Sequence, residues 1–245
     1  MPFRTNDGRD LDELLLAERP ADGYRFELRA GFVYEDPVSK QTYPVRAGRA
    51  TDLASVPMSL WGFIASYGRQ SAPAVLHDDR SALAAELGDR SAALAQRREE
   101  DRVFRTALRE QRVPLLRAWL MWAWVSADRE REFGGAAGAL IISQAVLGGL
   151  VVLGASVAAF WQPAWLAVAL VPLIAALPWG RLAPVVLLLT FTIGVLGPFI
   201  LLHLVAVVPF RLVEALVELV TGGDPAGVWR PTLRPPAPRN RGDDG

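Results

Sequence analysis

No aspartate, glutamate, lysine or arginine occurs between Glu132 and Arg181, and none between Arg181 and Arg211. Uninterrupted apolar stretches of this length constrain the chain more than any other feature, because crossing a hydrocarbon core of about 30 Å takes roughly 20 helical residues. Three segments qualify. Residues 139–160 (ALIISQAVLGGLVVLGASVAAF) suffice for one full crossing. Residues 164–179 are shorter and carry Pro172 and Pro178, so this segment crosses tilted and kinked or turns back as a re-entrant hairpin. Residues 182–210 are long enough for one crossing, kinked by Gly194, Gly197 and Pro198. The expectation is three transmembrane helices, with two and a re-entrant segment as the alternative.

Trp161, Trp165 and Trp179 fall at the proposed ends, where an indole buries its ring and keeps its N–H among headgroups. Arg129 and Arg131 precede the first segment, Arg181 separates the second and third, and Arg211 follows the third. Three crossings with residues 23–132 in the cytoplasm put the first three arginines inside and Arg211 outside; a re-entrant hairpin puts both ends inside. Small-residue pairs at Gly134/Gly138 and Gly154/Ala158 could bring helices close and favour self-association. His203, within the third segment, is expected as a neutral histidine bonded to a neighbouring helix. Beyond it, RLVEALVELV reads as an amphipathic helix on the interface or a continuation of the span, and residues 211–245 end in a disordered Pro/Arg-rich tail.

The charged residues lie almost wholly in the first 132 positions and the last 35. Formal net charge is zero, with acids and bases interleaved, so nucleic acid is not an expected partner; the lipid bilayer is, with a protein partner besides. Cysteine is absent, which removes disulfides, thiolate metal sites and a cysteine nucleophile. In residues 1–22 the apolar run LLLA is too short for a signal peptide, so the expectation is a cell-membrane, multi-pass protein with its first domain cytoplasmic.

That domain, residues 23–132, reads as α+β: a small antiparallel sheet packed on about four helices. YRFEL and GFVYE alternate apolar and polar residues, DPVSK turns, and TYPVRAGRATDLASVP runs extended to Pro57. Helices are expected over 59–68, 71–87, 96–112 and from Pro114, where VPLLRAWLMWAWV is apolar on nearly every side. In 96–112, Val103, Phe104, Ala107 and Leu108 form the buried stripe. Asp101 lies three residues before Phe104 and seven before Leu108, so it shares that side and needs a partner.

The order FVYE, a strand ending in TDLASVP, a helix with AVLHD, a helix with EEDRVFRTAL and then VPLLRAWLMWA resembles the family known as domain of unknown function 1353, found in tailed phages, prophages and bacteria. The resemblance covers residues 24–127. It implies recurrent polar positions at Asp52, Ser55, His77, Asp78 and Asp101. The chain departs from the family pattern at Met58, where a basic residue is usual, at Asp79, where an aromatic follows HD, and at Gly48, Arg49 and Ala50, which replace a glycine and an aromatic.

Three carboxylates and an imidazole suit a divalent cation. Asp52, His77, Asp78 and Asp101 are thus the candidate catalytic residues, with His77, Asp78 and Asp101 as the candidate metal ligands activating water for hydrolysis. Consecutive helical residues point about 100° apart, which works against His77 and Asp78 sharing one ion. The alternative is structural: Asp52 bonds the backbone of the ASVP turn or caps the next helix, while His77 and Asp101 form a buried pair joining two helices. The functional expectations follow: a membrane-anchored scaffold or interaction module, against a membrane-tethered metal-dependent hydrolase, with a phage-related lysis or pore protein third.

Overall fold

A computed structural model describes residues 2–18, 26–54, 56, 60 and 62–229. The alternating segments form six short strands: β1 (Phe3–Thr5), β2 (Leu16–Glu18), β3 (Phe26–Leu28), β4 (Phe32–Glu35), β5 (Thr42–Val45) and β6 (Ala50–Thr51). They make two antiparallel three-stranded sheets, ordered β1-β4-β5 and β2-β3-β6, where one sheet was expected. The first and second strands come from the segment read as lying outside the domain. Each has only three residues, too few to show a period, and the first pairs with β4 rather than with a neighbour in sequence. Phe3 nevertheless sits opposite Tyr34, its ring 4.7 Å from the Tyr34 ring and 5.7 Å from that of Phe32, and all three are fully buried.

Among the described residues three helices, not four, follow the sheets: α1 (Ser71–Ala85) and α2 (Arg90–Glu110), which close over the sheet core, and α3 (Leu115–Phe133), which packs on α2. The second begins before the periodic stretch because Asp89 caps it, its carboxylate accepting the Ser91 amide at 2.8 Å. Pro114, extended at φ −51° and ψ 143°, stands just before the first turn of the third. Of the helix expected over 59–68, only Leu60 is helical among the described residues, in a 3-10 conformation, while 62–68 are mostly turns and bends and Gly68 takes φ +125°. Val75, Leu76, Val103 and Ala107 close over Leu28, Phe32, Tyr34 and Val45 in the core, and Tyr34 Oη donates to Glu110 Oε2 at 2.6 Å.

The apolar half follows as α4 (Gly135–Ala158), a 3-10 segment (Pro163–Ala169), α5 (Leu170–Ala176), a second 3-10 segment (Leu177–Leu182), α6 (Ala183–Phe191), a π-helical stretch (Thr192–Leu196) and α7 (Gly197–Thr221). Two stretches are long and apolar enough to cross a membrane, Gly135–Ala158 and Pro163–Thr221. The division expected near residue 180 is present as a backbone break, Gly180 at φ 53° and ψ −113°. Gln144 ties the shorter piece back to α4: it donates to the Ala175 carbonyl at 2.6 Å and accepts from Trp179 Nε1 at 2.7 Å. Residues 163–176 thus span roughly 24 Å of mixed 3-10 and α-helix, against roughly 36 Å for α4.

Glycine makes the contact between α4 and the π-helical stretch. A Cβ on Gly149 would lie 2.5 Å from Ile193 Cγ2, and one on Gly194 would lie 2.9 Å from Val152. The pairs singled out from sequence behave differently: Gly138 meets the Glu130 carbonyl at the α3–α4 turn, and Gly154 faces open space. α7 has no buried residue. The expected bond of His203 to another helix does not form among the described residues, and its Nε2 is buried without a partner there. The amphipathic stretch after Arg211 simply continues this helix. The tail from residue 230 onward lies outside the described residues.

Candidate functional site at the junction of the two halves

Asp101 finds the partners that its place on the apolar side of α2 demands. Its Oδ1 accepts from His77 Nε2 on α1 at 2.9 Å. Its Oδ2 accepts from Arg129 Nη1 and, at 3.3 Å, from the Ser126 hydroxyl, both on α3. Arg129 also bonds Glu130 Oε1 through Nη2 at 3.0 Å, and Arg98 reaches the same oxygen at 3.4 Å. The His77, Asp101 and Arg129 side chains are nearly inaccessible, so a carboxylate here is tolerable only because cationic and neutral donors surround it. Three helices are thereby locked to one carboxyl group. The His77 ring lies 4.8 Å from that of Phe104, which fixes its plane.

A second polar group lies where the last strand leaves its sheet. Thr51 donates its hydroxyl to Asp78 Oδ2 and accepts the Leu53 amide at 2.9 Å. The chain turns sharply there, with Leu53 at φ +61°, a conformation that costs a leucine about 1–3 kcal/mol. The turn sets Asp52 beside Asp78. Burial pushes the Asp78 carboxyl well above the usual carboxylate range, the Asp52 carboxylate adds to the rise, and the Thr51 bond and Arg97 oppose it.

Asp52, His77, Asp78, Ser81, Arg97 and Asp128 share the wall of one cavity of about 580 Å³. The rest of the lining is largely apolar and includes Phe63, Met121, Trp124 and Val125 from the first half, and Thr192 and Leu196 from the π-helical stretch. Residues 26–125, which carry most of this wall, match a family described as Protein of unknown function (DUF1353). No curated protein and no solved structure matches the chain.

The DUF1353 match stops within α3, so Ser126, Arg129 and the whole apolar half lie beyond it. Two departures from the family pattern noted in the sequence meet in space: Arg49 Nε and Asp79 Oδ1 form an ion pair at 2.5 Å. Asp79 is buried, and its pKa stays raised because burial outweighs the neighbouring Arg49 and Arg80.

The proposed metal ligands His77, Asp78 and Asp101 do not converge. Among the described residues no three His, Asp or Glu side chains are grouped to hold a metal ion. His77 and Asp101 face each other, Arg129 occupies the remaining carboxylate oxygen, and Asp78 turns instead to Thr51. The candidate catalytic set is therefore split into a His77–Asp101 pair and an Asp52–Asp78 pair. Ser55 lies outside the described residues, as does the start of the helix that Asp52 was expected to cap.

Thr51, Arg97, Ser126 and Arg129 were not legible as site residues. Arg129 reads only as a charge preceding the first apolar segment, yet α3 continues through the charged run SADRERE and turns this arginine inward. The available signal was Asp101 itself, an acid on an apolar face that demanded a cation from elsewhere.

Proposed function

We propose that this chain is a multi-pass membrane protein whose apolar helices hold a cytoplasmic DUF1353 domain against the bilayer, where it acts as a scaffold or interaction module. The observation that carries the reading is α7: none of its residues is buried, and Leu201, Leu202, Val205, Leu212 and Val213 are each more than half exposed. Water tolerates no such continuous apolar surface on a monomer, whereas lipid tails solvate it. The engagement of His77 and Asp101 with each other and with Arg129 supports a role in holding the fold, and it leaves neither as a free base.

Two measurements on the full chain test this. After alkaline carbonate washing of bacterial membranes, the protein is expected in the pellet; recovery in the supernatant would overturn the anchoring. Chelator is expected to leave the melting temperature of the detergent-purified protein unchanged. A chelator-dependent fall, with stoichiometric bound metal, would replace the scaffold by a metalloenzyme.

A further inference from the structure

Between Val103 and Arg117 the sequence holds four arginines, Arg105, Arg109, Arg112 and Arg117, against one carboxylate, Glu110, in a chain whose formal net charge is zero. Glu110 does not neutralise them, because it turns to the Tyr34 hydroxyl. A fifth arginine joins the group, Arg69 Nη1 donating to the Arg112 carbonyl at 3.2 Å. Among the described residues none of the five makes an ion pair, in contrast to Arg102, which holds both Asp36 and Glu99. Arg105 and Arg109 lie four apart on one face of α2. Arg105 Cζ stands 4.2 Å from the Trp119 ring and 4.8 Å from the Trp122 ring on α3, and the guanidinium has no hydrogen-bond acceptor among the described residues. Burial and the Arg102 charge both push its pKa down, and no anion offsets them. Leu115 and Leu116, in the first turn of α3, are 58 % and 56 % exposed. Leu115, Trp119 and Trp122 recur at i, i+4 and i+7 and so lie along one side of that helix. Trp122 packs on the cluster of Ala127, Ala145, Val185 and Leu189 that joins α3 to α4 and α6, and Val185 comes four residues after Arg181.

We propose that Arg105, Arg109, Arg112 and Arg117 form a docking surface for anionic phospholipid headgroups, with Leu115 and Leu116 entering the boundary between heads and acyl chains. The proposal rests on the apolar helices lying in the bilayer, which sets Arg181 at headgroup level and brings Trp122 and the stacked Arg105 close to it; it adds the class of lipid that the domain touches. A phosphodiester oxygen supplies the acceptor that Arg105 lacks, and the planar guanidinium pairs with phosphate through two N–H groups. Indole rings favour the same zone. The exposed leucines select lipid over nucleic acid, which offers no hydrocarbon to receive them.

The absence of cysteine allows a single thiol to serve as the probe. The full chain carrying Leu115→Cys, or separately Leu202→Cys in α7, is labelled with an environment-sensitive fluorophore and reconstituted in vesicles of phosphatidylcholine, alone or with about one third phosphatidylglycerol. With phosphatidylglycerol the Leu115 label is expected to emit at shorter wavelength and to be quenched by nitroxide-bearing lipid; with phosphatidylcholine alone it is expected to stay accessible to iodide. Arg109→Gln and Arg117→Gln are each expected to lower the ratio of shielded to exposed label about fivefold, with melting temperatures as the check of the fold. A Leu115 label accessible to iodide in both vesicles, or shielded equally in both, would overturn the proposal. So would shielding by an added DNA duplex in vesicles of phosphatidylcholine alone, which would assign the surface to nucleic acid. Failure of the anchoring reads separately. A Leu202 label quenched by lipid beside a Leu115 label that is not keeps the span and removes the docking. A Leu202 label accessible to iodide removes the span, and the Leu115 label in vesicles with phosphatidylglycerol then decides the docking by itself.

Discussion

Asp101 on α2 holds Arg129 on α3 in an ion pair whose side chains are 0 % and 3 % exposed, and the same carboxyl group binds His77 on α1. A single group thus sets the mutual positions of three helices. The cation comes from the part of α3 beyond the DUF1353 match, so the ion pair ties the matched segment to the end of the helix that leads into the apolar half.

Removing that carboxylate should be costly. Asp101→Ala leaves the buried Arg129 guanidinium with Glu130 as its remaining counter-ion and His77 without its acceptor, and a loss of about 3 kcal/mol is expected in denaturant unfolding of the detergent-solubilised protein. His77→Ala should cost less, about 1–3 kcal/mol, because only one bond and the packing on Phe104 are lost. A double-mutant cycle should give a coupling above about 0.5 kcal/mol; strict additivity would show that the two side chains do not interact.

The pair formed by Arg49 and Asp79 predicts a rescue. Arg49→Ala strands a buried carboxylate and should destabilise by about 3 kcal/mol, whereas Arg49→Ala with Asp79→Ala should recover most of the loss. If the double variant melts no higher than Arg49→Ala, Arg49 matters for some reason other than this pair.

Acid stability should carry the mark of Asp36. Burial acts to raise its pKa, but bonds from Arg102, the Ser39 hydroxyl and amide, and the Val38 amide together hold it down to about 2. A lowered folded pKa means stability present above the unfolded value near 3.9 and lost as pH falls from there through about 2. Asp36→Asn should therefore cost on the order of 2 kcal/mol at pH 7 and show a flatter stability curve between pH 4 and 2. An unaltered acid limb in the variant would place that titration elsewhere.

Asp78 should show the opposite sign. Its folded pKa is raised, so the folded state holds the proton more tightly and stability falls as pH rises from the unfolded value toward the folded one. Asp78→Asn keeps an acceptor for Thr51 and removes the charge; a higher melting temperature than wild type is expected at pH 7, with the gain gone at pH 4 and below. A variant less stable than wild type at pH 7 would mean that the ionised Asp78 is favoured in the fold.

Close packing of α4 should be sensitive to one methyl group. Gly149→Ala forces Ile193 and the π-helical stretch outward and is expected to destabilise by about 1–3 kcal/mol, while Gly154→Ala, facing open space, should be neutral or slightly stabilising. Thermal unfolding in detergent separates the two, and equal melting temperatures would argue against the tight approach.

Local pattern carried several features reliably. Charge-free runs after Glu132 dictated apolar helices, alternation in FVYE and TYPV produced β4 and β5, and the stripe around Phe104 produced α2 with Asp101 on its inner side. Each depends on periodicity within one segment, which the order of residues contains. What tertiary structure alone decided was partnership: Phe3 reaching Tyr34, Arg49 reaching Asp79, Thr51 bonding Asp78, and Arg129 turning inward from a charged run. The energy of a buried charge depends on which opposite charge or donor arrives beside it, and that is set by how separate elements pack together. For the same reason the sequence could supply the candidate acids and the histidine, but only packing could divide them into two pairs and leave Arg97 in a cavity shared with Leu196.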